Sequence, residues 1–134
     1  MKKDFQKWHN KKSWINDIDK PPFFHEREIW FCYLGANVGF EQDGAGEDFL
    51  RPVLILRKFN KYMFWALPLT KPKVKMNNKK EIYYHSFSFG SGTISIAILS
   101  QIRTVDARRL AYRISEISKQ DFLEIIKKLK ILLP

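Results

Sequence analysis

Arg51-Pro52-Val53-Leu54-Ile55-Leu56-Arg57-Lys58-Phe59 and Tyr62-Met63-Phe64-Trp65-Ala66-Leu67-Pro68-Leu69, joined by Asn60-Lys61 and followed by Thr70, decide the fold. Both runs are dense in β-branched, aromatic and other apolar residues, and the two-residue joint is short and polar. They read as two strands of a hairpin. An arginine stands at the mouth of the first strand and a threonine at the exit of the second. Such a pair can meet across a sheet and face a phosphate.

Upstream, Glu28 to Leu34 reads as another strand. Between it and Arg51 lies a long loop, 35–50, holding Gly35, Gly39, Gly44 and Gly46 with Asn37, Asp43 and Asp48. A loop of that length in a small domain is usually functional or mobile. Downstream, Thr70 to Lys80 is a lysine-rich loop. Tyr83–Phe89 and Thr93–Leu99 form a hairpin about Gly90-Ser91-Gly92. Gln101–Val105 is a short extended piece, and 109–115 a last strand. Ser118 reads as an N-cap with Asp121 in a weak capping box, opening a helix with Phe122, Ile125, Ile126, Leu129, Leu132 and Leu133 at helical spacing. At the other end, residues 2–19 read as an amphipathic helix with Phe5, Trp8, Ile15 and Ile18 on its apolar face, stopped by Pro21-Pro22. The expected fold is mainly β: a small, partly open antiparallel β-barrel closed by a C-terminal helix, with an added N-terminal helix. We divide the chain into a helical extension, 1–27, and a barrel domain, 28–134.

The chain has 134 residues, enough for one domain, and its 45% hydrophobic content is enough for a core. Lys and Arg outnumber Asp and Glu by 24 to 14, a formal net charge of +10 that favours polyanionic partners. No apolar h-region follows Met1-Lys2-Lys3, and no run approaches the ~18 apolar residues of a membrane span. These features, with one cysteine, set the expectation of a cytoplasmic protein with no membrane association. Cys32 lies in an apolar run and reads as a small buried hydrophobe. His9, His25 and His85 are scattered, so no metal site and no cofactor are expected. No phosphate-binding Gly-Lys-Ser/Thr loop and no nucleophile elbow are present.

The remaining candidates are Arg51, whose planar fork suits a phosphate, and Thr70, whose hydroxyl can donate to a phosphate oxygen or orient the arginine. Glu41 can act as a base if its environment allows. An arginine at a strand mouth is also an ordinary surface cap, and a loop glutamate is ordinarily just solvated. Lys71, Lys73 and Lys75 follow Thr70 directly and raise the positive potential there, unless they form a solvated loop and nothing more.

Their order narrows the choice. A strand carrying Ile29-Trp30 leads to Gly39-Phe40-Glu41-Gln42-Asp43-Gly44. Next come Arg51-Pro52 with four apolar residues and Pro68-Leu69-Thr70. Leu99-Ser100-Gln101-Ile102-Arg103-Thr104-Val105-Asp106 and Arg108-Arg109-Leu110 follow. Over about residues 28–133 this resembles the MazF/PemK family of bacterial toxin endoribonucleases. The resemblance implies an SH3-like barrel and a homodimer. It also implies metal-independent cleavage of single-stranded RNA to a 2′,3′-cyclic phosphate and a 5′-hydroxyl, and an acidic antitoxin partner. It places Arg51 and Thr70 at the catalytic positions and Glu41 and Gln42 at the loop pair that shapes the RNA site; on chemical grounds Glu41 is the carboxylate offered as the catalytic base. Gln42 and Gln101 would be RNA-binding residues, flanked by Lys71, Lys73 and Lys75. The loop between Gln42 and Arg51 is longer than the family's usual approach to its Arg-Pro, and the N-terminal helix is extra to the minimal domain. Two other readings stay open: a toxin of the same fold that binds a protein target, as gyrase inhibitors do, and a module that only binds nucleic acid.

Overall fold

A computed structural model describes residues 2–72 and 82–134. Helix α1 (Phe5–Asn16) is followed by strands β1 (Glu28–Tyr33), β2 (Leu50–Lys58), β3 (Met63–Thr70), β4 (Tyr84–Phe89), β5 (Thr93–Ile98), β6 (Arg103–Asp106) and β7 (Leu110–Glu116), then helix α2 (Lys119–Leu132). The strands form one antiparallel sheet in the order β4-β5-β3-β2-β1-β7, with β6 also paired to β3. Strand β3 is shared along its length: Met63–Ala66 pairs β6, while Leu69 and Thr70 pair β5. Because β6 lies on the edge of β3, β7 lies on the edge of β1, and only the 3-10 turn Ala107–Arg109 joins them, the β1-β2-β3 meander must curl. The result is the expected mainly-β barrel fold, open in its strand pairing and flanked by a helix at each end of the chain.

The continuous apolar run of β2 has a simple cause: both faces are covered. Val53 and Ile55 join Trp30, Cys32, Phe64 and Ala66 in the barrel interior. Leu54 and Leu56 join Leu67, Leu69 and Leu99 on the opposite face, where Ile125 of α2 covers them. Ser118 caps α2, accepting from the Asp121 amide at 3.1 Å and donating to the Asp121 carboxylate at 3.1 Å. The same Asp121 reaches His85 Nε2 at 3.2 Å and so ties α2 to β4. Leu133, expected on the apolar stripe, lies past the helix end and is exposed.

Helix α1 is shorter at both ends than its periodicity predicts. Asp4 caps it by accepting from the Lys7 amide at 2.9 Å. Trp8 and Ile15, seven residues apart and therefore nearly in line, are buried with Ala36 and Phe49. Phe5, expected on that face, points out in the first turn and is half exposed. Gly35 makes the docking possible: a Cβ there would lie 2.1 Å from the Trp8 indole.

Glu28 is the one strongly buried carboxylate among the described residues. Burial alone would push it up. Trp30 Nε1 at 3.0 Å, the His25 amide at 2.7 Å and Arg113 Nε at 3.0 Å outweigh burial and hold it below the usual carboxylate range. A folded-state value below the unfolded one stabilises the protein above the unfolded carboxylate range, about pH 4, and that stability is lost as pH falls through the folded value. Glu28→Gln is therefore expected to cost about 2 kcal/mol at neutral pH. Its stability should also respond less to acid, as urea unfolding at pH 7 and below pH 4 would show. A variant as acid-sensitive as the parent would count against Glu28 as a source of that sensitivity.

Candidate nuclease site

Alternation along β2 and β3 aims Arg51 and Thr70 at one place. Arg51 is two residues from Val53 and Thr70 four from Ala66, both of which face the barrel interior, so both side chains belong to the interior-facing side at its open end. The pairing Val53↔Pro68, Leu54↔Leu67, continued two residues, sets Arg51 opposite Thr70. The guanidinium confirms the approach: Arg51 Nη1 donates to the Leu69 carbonyl at 3.1 Å, on the peptide that leads into Thr70. Its Nε donates to the carbonyl of Asp43. Both elements flanking the site thus grip one side chain, and among the described residues Arg51 makes no further hydrogen bond. Three of the five N–H donors of an arginine remain for a ligand. Burial pushes this guanidinium below its ordinary value, partly offset by the Asp43 carboxylate. An arginine starts so far above neutrality that it remains a cation.

Loop 34–50 is a braced structure with its own internal bonds. Asn37 donates from Nδ2 to the carbonyls of Leu34 at 3.0 Å and Gln42 at 2.8 Å. Its amide donates to Asp43 Oδ1 at 2.6 Å. Ala45 and Leu50 exchange backbone bonds at 2.7 and 3.0 Å, closing a small hairpin within the loop. Lys7 and Lys11 of α1 pair with Glu47 and Asp48.

Glu41 and Gln42 follow the loop tip. The Glu41 carboxylate accepts from the Val38 amide at 2.9 Å and is exposed. Gln42 and Gln101 are brought together, but through the backbone of Gln42: its amide donates to Gln101 Oε1 at 2.8 Å, while Gln101 Nε2 donates to the Phe40 carbonyl at 3.1 Å. The Gln101 amide therefore clamps the loop to the turn after β5. A cleft of about 650 Å³ opens there, walled by Asn37, Val38, Phe40, Glu41, Gln42 and Ser100–Arg103. Arg51 and Thr70 do not line it. Lys71 is exposed beside Thr70, and Lys73 and Lys75 lie outside the described residues.

Sequence reasoning missed Lys3, Asn37 and Asp43. Asp43 sits inside the glycine loop and meets Arg51 through its carbonyl, which no side-chain pattern reveals, while its carboxylate takes the Asn37 amide and Lys3. It also missed Arg109, which donates to the Tyr33 carbonyl at 3.4 Å and stands 5.5 Å over the Trp8 ring. Burial, then repulsion from Arg103, pushes Arg109 below its ordinary value. Cys32 is fully buried, and that burial pushes its thiol up to about 12, so it is unreactive at neutral pH. Among the described residues no group of three or more potential metal ligands occurs, and no helix is long and apolar enough to cross a membrane.

Comparison with known proteins places this fold. The fold is similar to that of MazF (Form-I) from Deinococcus radiodurans, with a TM-score of 0.60 and 18% identity over 85% of this chain and 97% of that one. It is also similar to Mycobacterium tuberculosis toxin MazF-mt6, with a TM-score of 0.56 and 15% identity over 78% of this chain and 94% of that one. A third likeness is to an endoribonuclease in complex with its cognate antitoxin from Mycobacterial species, with a TM-score of 0.56 and 16% identity over 84% of this chain and 98% of that one. No curated protein matches the sequence. Residues 25–133 match the family described as PemK-like, MazF-like toxin of type II toxin-antitoxin system. Because the match covers most of the chain, the chain belongs to the MazF/PemK family of toxins of type II toxin-antitoxin systems.

Proposed function

We propose that this toxin is an endoribonuclease that cleaves single-stranded RNA, using protein groups alone, to a 2′,3′-cyclic phosphate and a 5′-hydroxyl. The observation that carries the reading is Arg51, held by the carbonyls of Asp43 and Leu69 beside Thr70, with donors to spare. In the reaction the ribose 2′-oxygen attacks phosphorus and the bond to the 5′-oxygen breaks. The 2′-hydroxyl loses a proton and the leaving oxygen gains one. Charge grows on the non-bridging oxygens, and a fixed guanidinium stabilises it without reorganising. The Thr70 hydroxyl holds a non-bridging oxygen or the guanidinium. Glu41, on the wall of the cleft that Gln42 and Gln101 share, is the carboxylate proposed as base. The cleft between Phe40 and Arg103 offers an aromatic face and a cation to an unpaired nucleotide. Family membership and the antitoxin-bound relative support an antitoxin as partner, the net charge of +10 favours an acidic one, and a homodimer follows from the family.

The test is cleavage of a fluorogenic RNA by purified protein in EDTA, with light scattering on the same sample. Cleavage unaffected by chelator, from a particle of dimer mass, is the expected outcome. Abolition by EDTA with rescue by a divalent ion would overturn the metal-independent mechanism. A monomer at micromolar concentration would remove the dimer. Neutralising Lys71, Lys73 and Lys75 together should flatten the salt dependence of RNA affinity by roughly 0.7 for each phosphate no longer neutralised. Turnover at saturating RNA should change little.

A further inference from the structure

The family match begins at residue 25, yet the segment before it is wired into the site. Lys3 is the point of attachment. Its ammonium reaches the Asn37 carbonyl at 2.6 Å, the Gly39 carbonyl at 2.8 Å and the Asp43 carboxylate at 2.9 Å. Two of the three N–H donors of the ammonium go to the two carbonyls, and the Asp43 carboxylate pairs with its charge. The Lys3 side chain is 12% exposed, far less than the 44% of Lys7 on the same segment. Asp43 is the residue whose carbonyl receives Arg51 Nε, and its other carboxylate oxygen receives the Asn37 amide. A line of direct interactions therefore runs from Lys3 through Asp43 to Arg51. Trp8, seated on Gly35 and 5.4 Å from the Phe49 ring, anchors the segment that carries Lys3.

We propose that Lys3 is a positioning residue for Arg51: a tethered cation, delivered by the N-terminal extension, that sets the 37–43 turn and through Asp43 fixes the guanidinium. The inference rests on the nuclease reading for its catalytic consequence and on the geometry alone for its structural one. Without the ammonium, two carbonyls and a carboxylate converge with nothing positive between them. The turn must then open, and Arg51 loses the fixed position of its Nε acceptor. A misplacement of about 1 Å at a reacting group costs up to 100-fold in rate. The rest of the substrate site is untouched, so binding suffers less than turnover.

The test uses the full chain with Lys3→Met, which keeps the stem and removes the charge, and Lys3→Ala. The expected result is a fall in kcat of about 10-fold or more for Lys3→Met with KM changed little, the split that marks a transition-state effect. In an Arg51→Ala background the same change should add nothing, because Lys3 acts through Arg51. Methylammonium should restore Lys3→Ala in part, by refilling the cage, and leave Lys3→Met unaffected. Unchanged turnover in Lys3→Met, or an effect that multiplies with Arg51→Ala, would overturn the positioning role. Hydrogen exchange separates this from the nuclease reading. Lys3→Met should speed exchange of the amides of residues 37–44 while leaving the β2 and β3 amides protected. If wild-type protein cleaves no RNA, the nuclease reading fails and the exchange result alone decides whether Lys3 braces the loop. Unchanged exchange would sink that as well.

Discussion

Replacing Arg51 by alanine is expected to lower the proposed RNA cleavage by about 100-fold or more, the loss that follows when one preorganised donor to a developing oxyanion is removed. The barrel should stay folded. Arg51 sits at the start of β2 before the buried Val53–Leu56 run and belongs to none of the three core clusters, so its loss removes no core side chain. Arg51→Lys should recover little. A lysine keeps the charge but cannot reach both the Asp43 and the Leu69 carbonyls and still present a planar fork. The measurement is single-turnover cleavage of a short RNA, with circular dichroism and thermal melting on the same preparations. Full activity in Arg51→Ala would remove this residue from the mechanism. Lost activity with a collapsed melting transition would make Arg51 a folding residue instead.

Much of this site was legible in the sequence because it lies on strands. Strand periodicity is two, so the spacing of Val53, Ile55, Phe64 and Ala66 fixes which face Arg51 and Thr70 share. Which residues sit opposite is set by the turn together with a one-residue shift between Ile55 and Arg57: Lys58 pairs Phe64 and Arg57 pairs Trp65, whereas Val53 pairs Pro68 in the register that brings Arg51 to Thr70. The capping of α2 was legible for a similar reason: Ser118 and Asp121 are three residues apart, and the bond between them is local. The glycine loop was not legible. Beside its local bonds, two of its braces come from side chains far away in the chain: Gln101, 59 residues beyond Gln42, and Lys3, 40 residues before Asp43. Nothing in Lys3 itself separates it from Lys2 or Lys7. The apolar face of α1 was partly misread, since Phe5 falls in the first turn, outside the line that Trp8 and Ile15 present to the domain. The roles of Gln101 and Glu41 show the same limit: sequence picks out the residue type, while the fold decides whether its polar atoms are free or already bonded.

That dependence on backbone geometry makes Gly44 the most sensitive position of the loop. A Cβ at Gly44 would lie 1.6 Å from the Phe49 carbonyl oxygen, 2.0 Å from its carbon and 2.7 Å from the Leu50 nitrogen. All three are backbone, so no rotamer change relieves the overlap. The carbonyl in the way also accepts from the amides of Leu34 at 3.0 Å and Gly35 at 3.2 Å. Moving it breaks both bonds. It also displaces Phe49, which holds a left-handed backbone at φ 56° and packs against Trp8. Gly44→Ala should therefore free α1 from the barrel, shift the adjacent Asp43 carbonyl and leave Arg51 misplaced. Cleavage should fall nearly as far as in Arg51→Ala, and combining the two changes should cost little more than either. Gly39→Ala is the matched control. Nothing lies within 4 Å of a Cβ there, and the cost is the φ of 53° alone, about 1 kcal/mol. Intrinsic tryptophan fluorescence and limited proteolysis follow the release of Trp8, while the cleavage assay follows Arg51. If Gly44→Ala keeps Trp8 buried and RNA cleavage intact, the loop tolerates the displacement of Phe49. The geometry of 34–50 would then not be what holds the guanidinium.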